Sequence, residues 1–490
     1  MITATHKGKY HDVEYSIVHV SELEGELRID AEYYESKYIN ILSKINSKNN
    51  NLFWNYVVKF EAGKNLPQCK KGIPYIRTQN VRQIIIEKEG LSYVELGKEN
   101  LKLLKQGDIL FVRVGVGVGD CSVVDKEFEN ATFSDNVISI RLKKINPFFV
   151  TVFLNTETGK QYFSHVFKGT ARPLISKENF QNIKIPIPSD TFQKFIEKLV
   201  LKAYKERQKA EQLYKQAEEI LLEELGLKNW KPKTKKIKIG GQEFKEEKNI
   251  SIRMLSDVIK ADRMDAEYWE PKYDEFLNKL EEKAILKPLK EFLSSKLLKG
   301  IEVGSGNYQE KGVSFIRVSN ITKFGIIERD QKYISEEFYS DLKDKFEPKK
   351  GEILLTKDAT PGIAYVLKED IKGIIAGGIV RLKVKNIEKE YLTLVINSIV
   401  GQMQILKEGG GSIISHWKPS QIENLLIPLL DSETQQKISH LIQQSFEARE
   451  NSKKLLEISK RIVELYIEKD EKEGLNYARN KLNELNIEIN

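Results

Sequence analysis

RIDAEYYESKY at residues 28–38 and RMDAEYWEPKY at residues 263–273 are one motif written twice, 235 positions apart. Arg28, Asp30, Ala31, Glu32 and Tyr33 recur as Arg263, Asp265, Ala266, Glu267 and Tyr268. Five further blocks repeat downstream in the same order. FEAGKNLPQ (60–68) answers to IEVGSGNYQ (301–309), PYIRTQNV (74–81) to SFIRVSNI (314–321), and GDILFVRVG (107–115) to GEILLTKDA (351–359). NVISIRL (136–142) answers to GIVRL (378–382), and ENFQNIKIPIP (178–188) to SQIENLLIPLL (420–430). The offset drifts only between 235 and 244, the small steps that loop insertions make. A shared order over some 200 residues makes the chain two copies of one domain.

Composition agrees with several soluble domains: 490 residues, 40% apolar and 31% charged, are enough for two to four cores. The net charge of +8 sets 79 basic against 71 acidic residues, an interleaving that permits nucleic-acid binding without requiring it. Two cysteines, Cys69 and Cys121, lack metal-ligand spacing, and the six histidines stand singly. A reducing cytoplasm fits this cysteine usage. No leader pattern opens the sequence and no eighteen apolar residues run together, so no membrane span is expected.

Within each copy the motif is expected to open an amphipathic helix, with Tyr33, Tyr38, Ile39 and Leu42 on one face and Tyr268, Tyr273, Phe276 and Leu277 in the counterpart. PYIRTQNV, DILFVRVGV and NVISIRL are β-branched or alternating runs bounded by Gly, Asn and Asp, and read as strands. Each copy is therefore α+β. After its last proline the period changes to a heptad seam: Phe192, Ile196, Leu199, Ala203, Ala210, Leu213, Ala217 and Ile220. The second copy supplies Ile438, Leu441, Ser445, Ala448, Ser452, Leu455, Ser459 and Ile462. An apolar stripe rich in Ala and Ser needs a closely approaching partner, so the two helices are expected to form an antiparallel coiled coil with pseudo-two-fold symmetry, one globular head near each end. A core-packing role for each helix in its own head is the alternative. KNWKPKTKKIKIGGQEFKEEK (228–248), with eight lysines and a Gly pair, reads as a flexible basic connector. The expected organisation is a recognition domain at 1–190, a helix at 191–227, a linker at 228–250, a second recognition domain at 251–430, and a helix with tail at 431–490.

This arrangement resembles the specificity subunit of Type I restriction-modification systems, two target-recognition domains each followed by a long helix. Nearly the whole chain is covered, and PYIRTQN, GDILFVRVGVGVGD, GTARPLISKENFQNIKIPIP with its twin GSIISHWKPSQIENLLIPLL, and RIDAEYY with RMDAEYW carry the likeness. The resemblance implies a non-catalytic subunit that binds a bipartite, asymmetric site in double-stranded DNA. It also implies two modification subunits that bind S-adenosylmethionine and methylate adenine N6, with a motor nuclease restriction subunit as a further partner; no cofactor is expected in this chain. A specificity partner for a Type IIB-like enzyme, or a coiled-coil scaffold without methyltransferase partners, are the other readings.

Base-edge readout uses Arg on guanine and Asn or Gln on adenine, while other cations hold phosphates. Arg77, Gln79, Asn80 and Arg82, with Arg317, Ser319 and Asn320 in the second copy, are the candidates for reading; Arg113 and Lys357 follow matching strands and precede Gly-containing loops. Lys168, Arg172, His416, Trp417 and Lys418 flank glycine-rich turns. GVGVGD (115–120) imitates a nucleotide-binding loop, but CSVVDKEF beyond it reads as strand where a helix should open, and its counterpart is DATPGI. No NPPY-like or DPPY-like tetrapeptide and no clustered carboxylates with a lysine occur, so neither a self-contained methyltransferase nor a nuclease is expected.

The seam from Phe192 to Ile220 spans roughly 29 residues, or about 43 Å. If it sets the distance between half-sites, inserting seven residues into both helices keeps the seam in phase and adds about 10.5 Å. The preferred spacer then lengthens by about three base pairs at ~3.4 Å each, read as methylation of graded-spacer targets by the assembled complex. A folded insertion variant that kept its original spacer would show that the helices do not measure the distance.

Overall fold

The strand Asn50–Leu52 pairs antiparallel with Lys184–Pro186, and Ile285–Pro288 pairs with Leu426–Leu429, so each copy closes on itself by joining its beginning to its end. The computed structural model describes residues 8–10, 13–15, 20, 34–95, 97, 101–115, 117–165, 175–232, 237–239, 242–244, 253–328, 330–409 and 416–489. The chain forms two compact units, residues 1–208 with 448–490, and residues 209–447. Their limits fall inside the long helices α1 (Asp190–Glu224) and α2 (Ser432–Glu468), not at 190 and 430, so each unit holds a head, half of its own helix and half of the other's.

Unit 1 carries β1 (Val57–Ala62), β2 (Ile73–Ile76), β3 (Ser92–Val94), β4 (Ile109–Val112), β5 (Cys121–Val123), β6 (Thr132–Phe133) and β7 (Val137–Leu142). An antiparallel sheet runs β1-β7-β4-β5, and a mixed sheet runs β3-β2-β6 with β2 and β6 parallel. Unit 2 carries β8 (Leu298–Lys299), β9 (Val313–Ile316), β10 (Lys332–Ile334), β11 (Ile353–Thr356), β12 (Ala364–Val366), β13 (Gly373–Ile375) and β14 (Ile379–Leu382). Its sheets run β8-β14-β11-β12 and β10-β9-β13, the same topology with the same parallel pair. The central strands β4 and β11 are buried at every position, which explains the apolar runs Ile109–Val112 and Ile353–Leu355.

Two repeated blocks owe their charges to a buried pair. Asp108 of GDIL takes a bidentate bond from Arg141 of the RL block, at 2.6 and 2.7 Å, and Arg381 reaches Glu352 of GEIL at 3.4 Å. Both carboxylates are almost fully buried, so each needs its guanidinium.

The structure shifts one register. A Cβ on Gly63 would lie 2.1 Å from the Phe133 carbonyl oxygen, and one on Gly300 would lie 2.3 Å from that of Ala376. Gly63 N donates to Val137 O and Gly300 N to Ile379 O, so Gly63 corresponds to Gly300 and not to Gly304. Only glycine lets this strand exit pass against the end of the parallel pair.

The RMDAEYW motif is not helical. Tyr268 sits in a turn and the helix begins at Pro271, because a residue before proline is pushed out of the α region and proline itself suits the first helical position. Tyr273 and Phe276 are buried on that helix and Leu277 is half-buried. In the first copy Tyr33 lies outside the described residues, and Tyr38, Ile39 and Leu42 are buried on the helix Ser36–Asn46. The linker is not wholly loop, since Ile237–Ile239 pairs with Gln242–Phe244 as a hairpin. Gly8–Tyr10 pairs with Val13–Tyr15 in the same way, so the repeat reaches back into the connector.

Along the helix pair, Phe192, Ile196, Leu199, Ala203, Ala210, Ala217, Ile438, Ser445, Ala448, Ser452, Leu455, Ser459 and Ile462 are buried. Leu213, Ile220 and Leu441 are half-buried, and their neighbours Tyr214, Leu221 and Ile442 take the inside places. A straight helix drifts from a strict heptad, and here the buried stripe turns toward the head. In unit 1, Phe192 meets Tyr466 at 5.3 Å between ring centroids and Ser452 Oγ donates to Ala203 O at 2.8 Å, so the helices run antiparallel. In unit 2, Ser445 Oγ donates to Ala210 O at 2.6 Å. The helix pair is also head core: residues from Phe192 to Tyr204 and from Leu455 to Ile467 share one apolar cluster with Phe53, Phe111 and Phe180. The tail forms a third helix, α3 (Glu471–Glu484), whose Gly474 lies against Ile462 and Phe192. Among the described residues no helix is long and apolar enough to cross a membrane.

Gly63→Ala and Gly300→Ala are each expected to destabilise their own unit by more than about 2 kcal/mol, because the added methyl meets main chain that cannot move aside. Urea unfolding followed by proteolysis at sites in each unit reads this. Equal loss in both units from one substitution would show that the units do not unfold separately.

Candidate nucleic-acid interface

In unit 1 two strands end beside a tripeptide. Ser134 N donates to Ile76 O at 2.9 Å, Val137 N to Ser134 O at 2.9 Å, and Arg113 N to Asn136 O at 2.9 Å. Ser134-Asp135-Asn136 thus bridges the two sheets, with Arg77 leaving β2 on one side and Arg113 leaving β4 on the other. Unit 2 repeats this: Ala376 N donates to Ile316 O, Ile379 N to Ala376 O and Lys357 N to Gly378 O, at 2.8, 2.9 and 2.8 Å. Ala376-Gly377-Gly378 bridges, flanked by Arg317 and Lys357. Each head therefore presents two cations around one turn, a geometry suited to a phosphate or a guanine edge.

The turns differ in what surrounds them. Asp135 and Asn136 are exposed, whereas Gly377 and Gly378 are buried, with Glu302 and Val318 filling the space side chains would take. Arg77 is half-buried, and its Nε has no hydrogen-bond partner among the described residues. Arg317 is held by Asp330 at 2.9 Å, and Lys332 reaches the other oxygen at 3.1 Å. Those two cations hold the Asp330 carboxyl below the usual carboxylate range. Lys357 is nearly buried and pairs with Asp358 at 2.6 Å, while His416 Nδ1 lies 2.9 Å from the second Asp358 oxygen. Burial alone would raise the Asp358 carboxyl, but the bonds to Lys357 and His416 carry it below its ordinary value.

Several residues proposed for contact have structural places instead. Asn80 and Asn320 are fully buried. The Asn80 side chain accepts from Arg77 N at 3.1 Å and donates to Glu87 O at 2.9 Å; that of Asn320 accepts from Arg317 N and donates to Ile327 O, both at 3.0 Å. Each therefore closes a loop of its own chain and is not available to a base. Trp417 is packed in the unit 2 core, and its main-chain N–H donates to Lys357 O at 2.8 Å, as the main-chain N–H of Ile175 donates to Arg113 O in unit 1. Each copy thus has a buried apolar side chain at this position, Trp417 in one and Ile175 in the other.

Gln79 donates to Gly90 O at 2.7 Å and is half-buried; Arg82 lies over Thr78 and Val81, its N–H bonded to Ser122 Oγ at 2.9 Å. Ser319, His416 and Lys418 are exposed, the last at the start of the helix Pro419–Glu423. Lys168 and Arg172 lie outside the described residues. Sequence reasoning missed the bridging tripeptides, Asp330 and Asp358. The tripeptides end on the first residues of the matched NVISIRL and GIVRL blocks, Asn136 and Gly378, so their place was marked, but nothing in the sequence pairs an aspartate with an arginine thirteen residues away.

The profile of the Type I restriction modification DNA specificity domain matches residues 57–218 and again residues 291–460. The chain belongs to this family. It is a DNA-specificity subunit, a recognising and non-catalytic component of a restriction-modification complex. No curated protein is detectably similar in sequence. Among solved structures, the S subunit of a Type I system from M. genitalium aligns at 12% identity, covering 86% of this chain and 96% of its own, with a TM-score of 0.38. The HsdS subunit from Thermoanaerobacter tengcongensis aligns at 12% identity over 86% and 97%, with a TM-score of 0.27. A chain from a study of assembly and conformational transition in the type I R-M system aligns at 13% identity over 86% and 98%, also with a TM-score of 0.27. In this specificity subunit the matched spans take in both bridging turns and stop inside the helix pair.

Replacing Asn80 or Asn320 by Ala is expected to cost about 1–3 kcal/mol of stability, since main-chain groups lose buried partners. Thermal melts measured beside DNA binding decide the assignment. Weakened binding at full stability would return these asparagines to the base-reading set.

Proposed function

We propose that each head reads one half of a bipartite, asymmetric DNA target through the cations beside its bridging turn, Arg77 with Arg113 and Arg317 with Lys357. The observation that carries this reading is one main-chain frame in both heads with different chemistry on it: Ser-Asp-Asn exposed in one, Ala-Gly-Gly packed under Glu302 and Val318 in the other. Two frames so differently dressed suit two different half-sites. Arg82, Lys418 and His416 flank them as exposed or half-buried cations and polar groups, and Lys168 and Arg172 remain candidates for phosphate contact. Recruitment of two modification subunits, with S-adenosylmethionine as their cofactor and adenine N6 as the methylated atom, follows from membership in the family and is part of the same proposal. So is a cytoplasmic setting.

Arg77→Ala and Arg317→Ala are each expected to weaken specific binding by about 1–3 kcal/mol and to relax discrimination in one half-site. Selection from DNA libraries randomised in both half-sites reads the change. If either substitution altered both half-sites equally, the assignment of one head to each would fail.

A further inference from the structure

The cations at the two bridging turns differ in whether the chain itself already engages them. In unit 2 Arg317 gives its Nη2 to the Asp330 carboxylate at 2.9 Å and to the Asp330 carbonyl, and Lys332 takes the other carboxylate oxygen at 3.1 Å. Lys357 gives its ammonium to Asp358 at 2.6 Å, and His416 Nδ1 lies 2.9 Å from the second oxygen. In unit 1 no described carboxylate pairs with Arg77 or Arg113, and the buried Nε of each has no hydrogen-bond partner among the described residues.

The difference sits at matched positions. Glu87 N donates to Asn80 O and Ile327 N to Asn320 O, both at 2.8 Å, so Asp330 corresponds to Gly90. Arg113 N and Lys357 N donate into their bridging turns, to Asn136 O and Gly378 O, so Asp358 corresponds to Val114. Gly90 and Asp330 share a positive φ, 66° and 48°, which Asp and Asn accept more readily than other side chains. On one frame, unit 2 thus has a carboxylate beside each cation where unit 1 has none.

Stability gives little reason for the Arg317 pair, because Asp330 is 60% exposed and an ion pair so placed contributes little. Net charge is not the distinction either, since Lys332 returns the charge that Asp330 removes. What differs is access. A phosphate oxygen approaching Arg317 or Lys357 must compete with a carboxylate already bonded there, and it meets that carboxylate's repulsion at close range. A base edge carries no net charge and escapes the repulsion, and a guanidinium held by a carboxylate keeps donors for guanine O6 and N7. Arg77 and Arg113 carry no such filter, so they take a phosphate as readily as a base.

We propose that Asp330 and Asp358 are specificity-determining residues: they turn the cations of unit 2 from backbone phosphates to base edges, and leave the sequence-independent hold on DNA to Arg77 and Arg113 of unit 1. The proposal rests on the reading that these four cations face DNA.

The test follows fluorescence anisotropy across a salt series, with the full-length chain in its own assembled complex, on its selected target and on a duplex lacking that target. Each phosphate contact adds about one to the slope of log affinity against log salt. Arg77→Ala with Arg113→Ala is expected to flatten the non-target slope by about two, and Arg317→Ala with Lys357→Ala by less than about one half. Asp330→Asn raises non-target affinity about tenfold at ~0.1 M salt and steepens the slope by about one, while target affinity rises less, so discrimination falls. Asp358→Asn acts in the same direction. The reciprocal Gly90→Asp, whose Cβ meets only the end of the Gln79 side chain, flattens the non-target slope by about one, with a thermal melt to check its fold. Asp330 is exposed and Asn suits its backbone, so that variant gives a readout even where a double variant does not fold. Equal flattening by the two double variants overturns the proposal, as does wild-type affinity and slope of Asp330→Asn on the non-target duplex. If all four cation substitutions leave both duplexes bound as before, the underlying reading fails instead.

Discussion

A serine hydroxyl on one long helix bonded to a main-chain carbonyl of the other, Ser452 to Ala203 in one unit and Ser445 to Ala210 in the other, is the condition on which both heads are built. Such bonds need the two backbones close together, and only small side chains permit that approach. A leucine at either serine would separate the helices and strip the carbonyl of its partner. The helix pair is also the floor of each head. Tyr204 reaches up from α1 to donate to Val123 O at 2.5 Å and to accept from Ile86 N at 3.2 Å, tying a sheet edge and a loop to the helix. Phe446 of α2 meets Tyr365 in unit 2 with its ring alone.

The duplication, the α+β character, the strand blocks and the small-residue seam were legible because each is a matter of period and composition. The alternative roles for the helices, seam or head core, turned out to be one role, since residues such as Phe192 and Leu455 serve both. What stayed hidden was decided by close approach or by partners distant in sequence. Asn80 looks like a reading residue until its carboxamide is seen bonded to its own loop. Gly63 pairs with Gly300 because a carbonyl lies where a Cβ would go, and no spacing announces that. Trp417 stands between two polar neighbours in the sequence yet is core. The hairpin at 237–244 was the avoidable miss, since IKIGGQEF carries a Gly-Gly turn between alternating residues.

The two heads show how a repeat diverges without losing its frame. Strand order, the parallel pair and the bonds around the bridging turn are common to both, and so is a buried carboxylate held by an arginine. The heads differ in what is added to the frame and in what it displays. Among the described residues only unit 2 has a helix after β10, Glu336–Phe346. A guanidinium is restrained by Asp330 in one head and by no such aspartate at the equivalent place in the other, where Gly90 stands.

Asn80 and Asn320 fasten their loops almost wholly through main-chain atoms, at the loop's beginning and at its return. A fastening of that kind is indifferent to the identity of the side chains displayed between its ends. Exposed Ser319 can be exchanged while its loop keeps its course, whereas Gln79 in the other head also holds Gly90 O through its side chain. In a DNA-specificity subunit this is mutational tolerance at the displayed surface: side chains there can vary while the fastening of the loop stays intact.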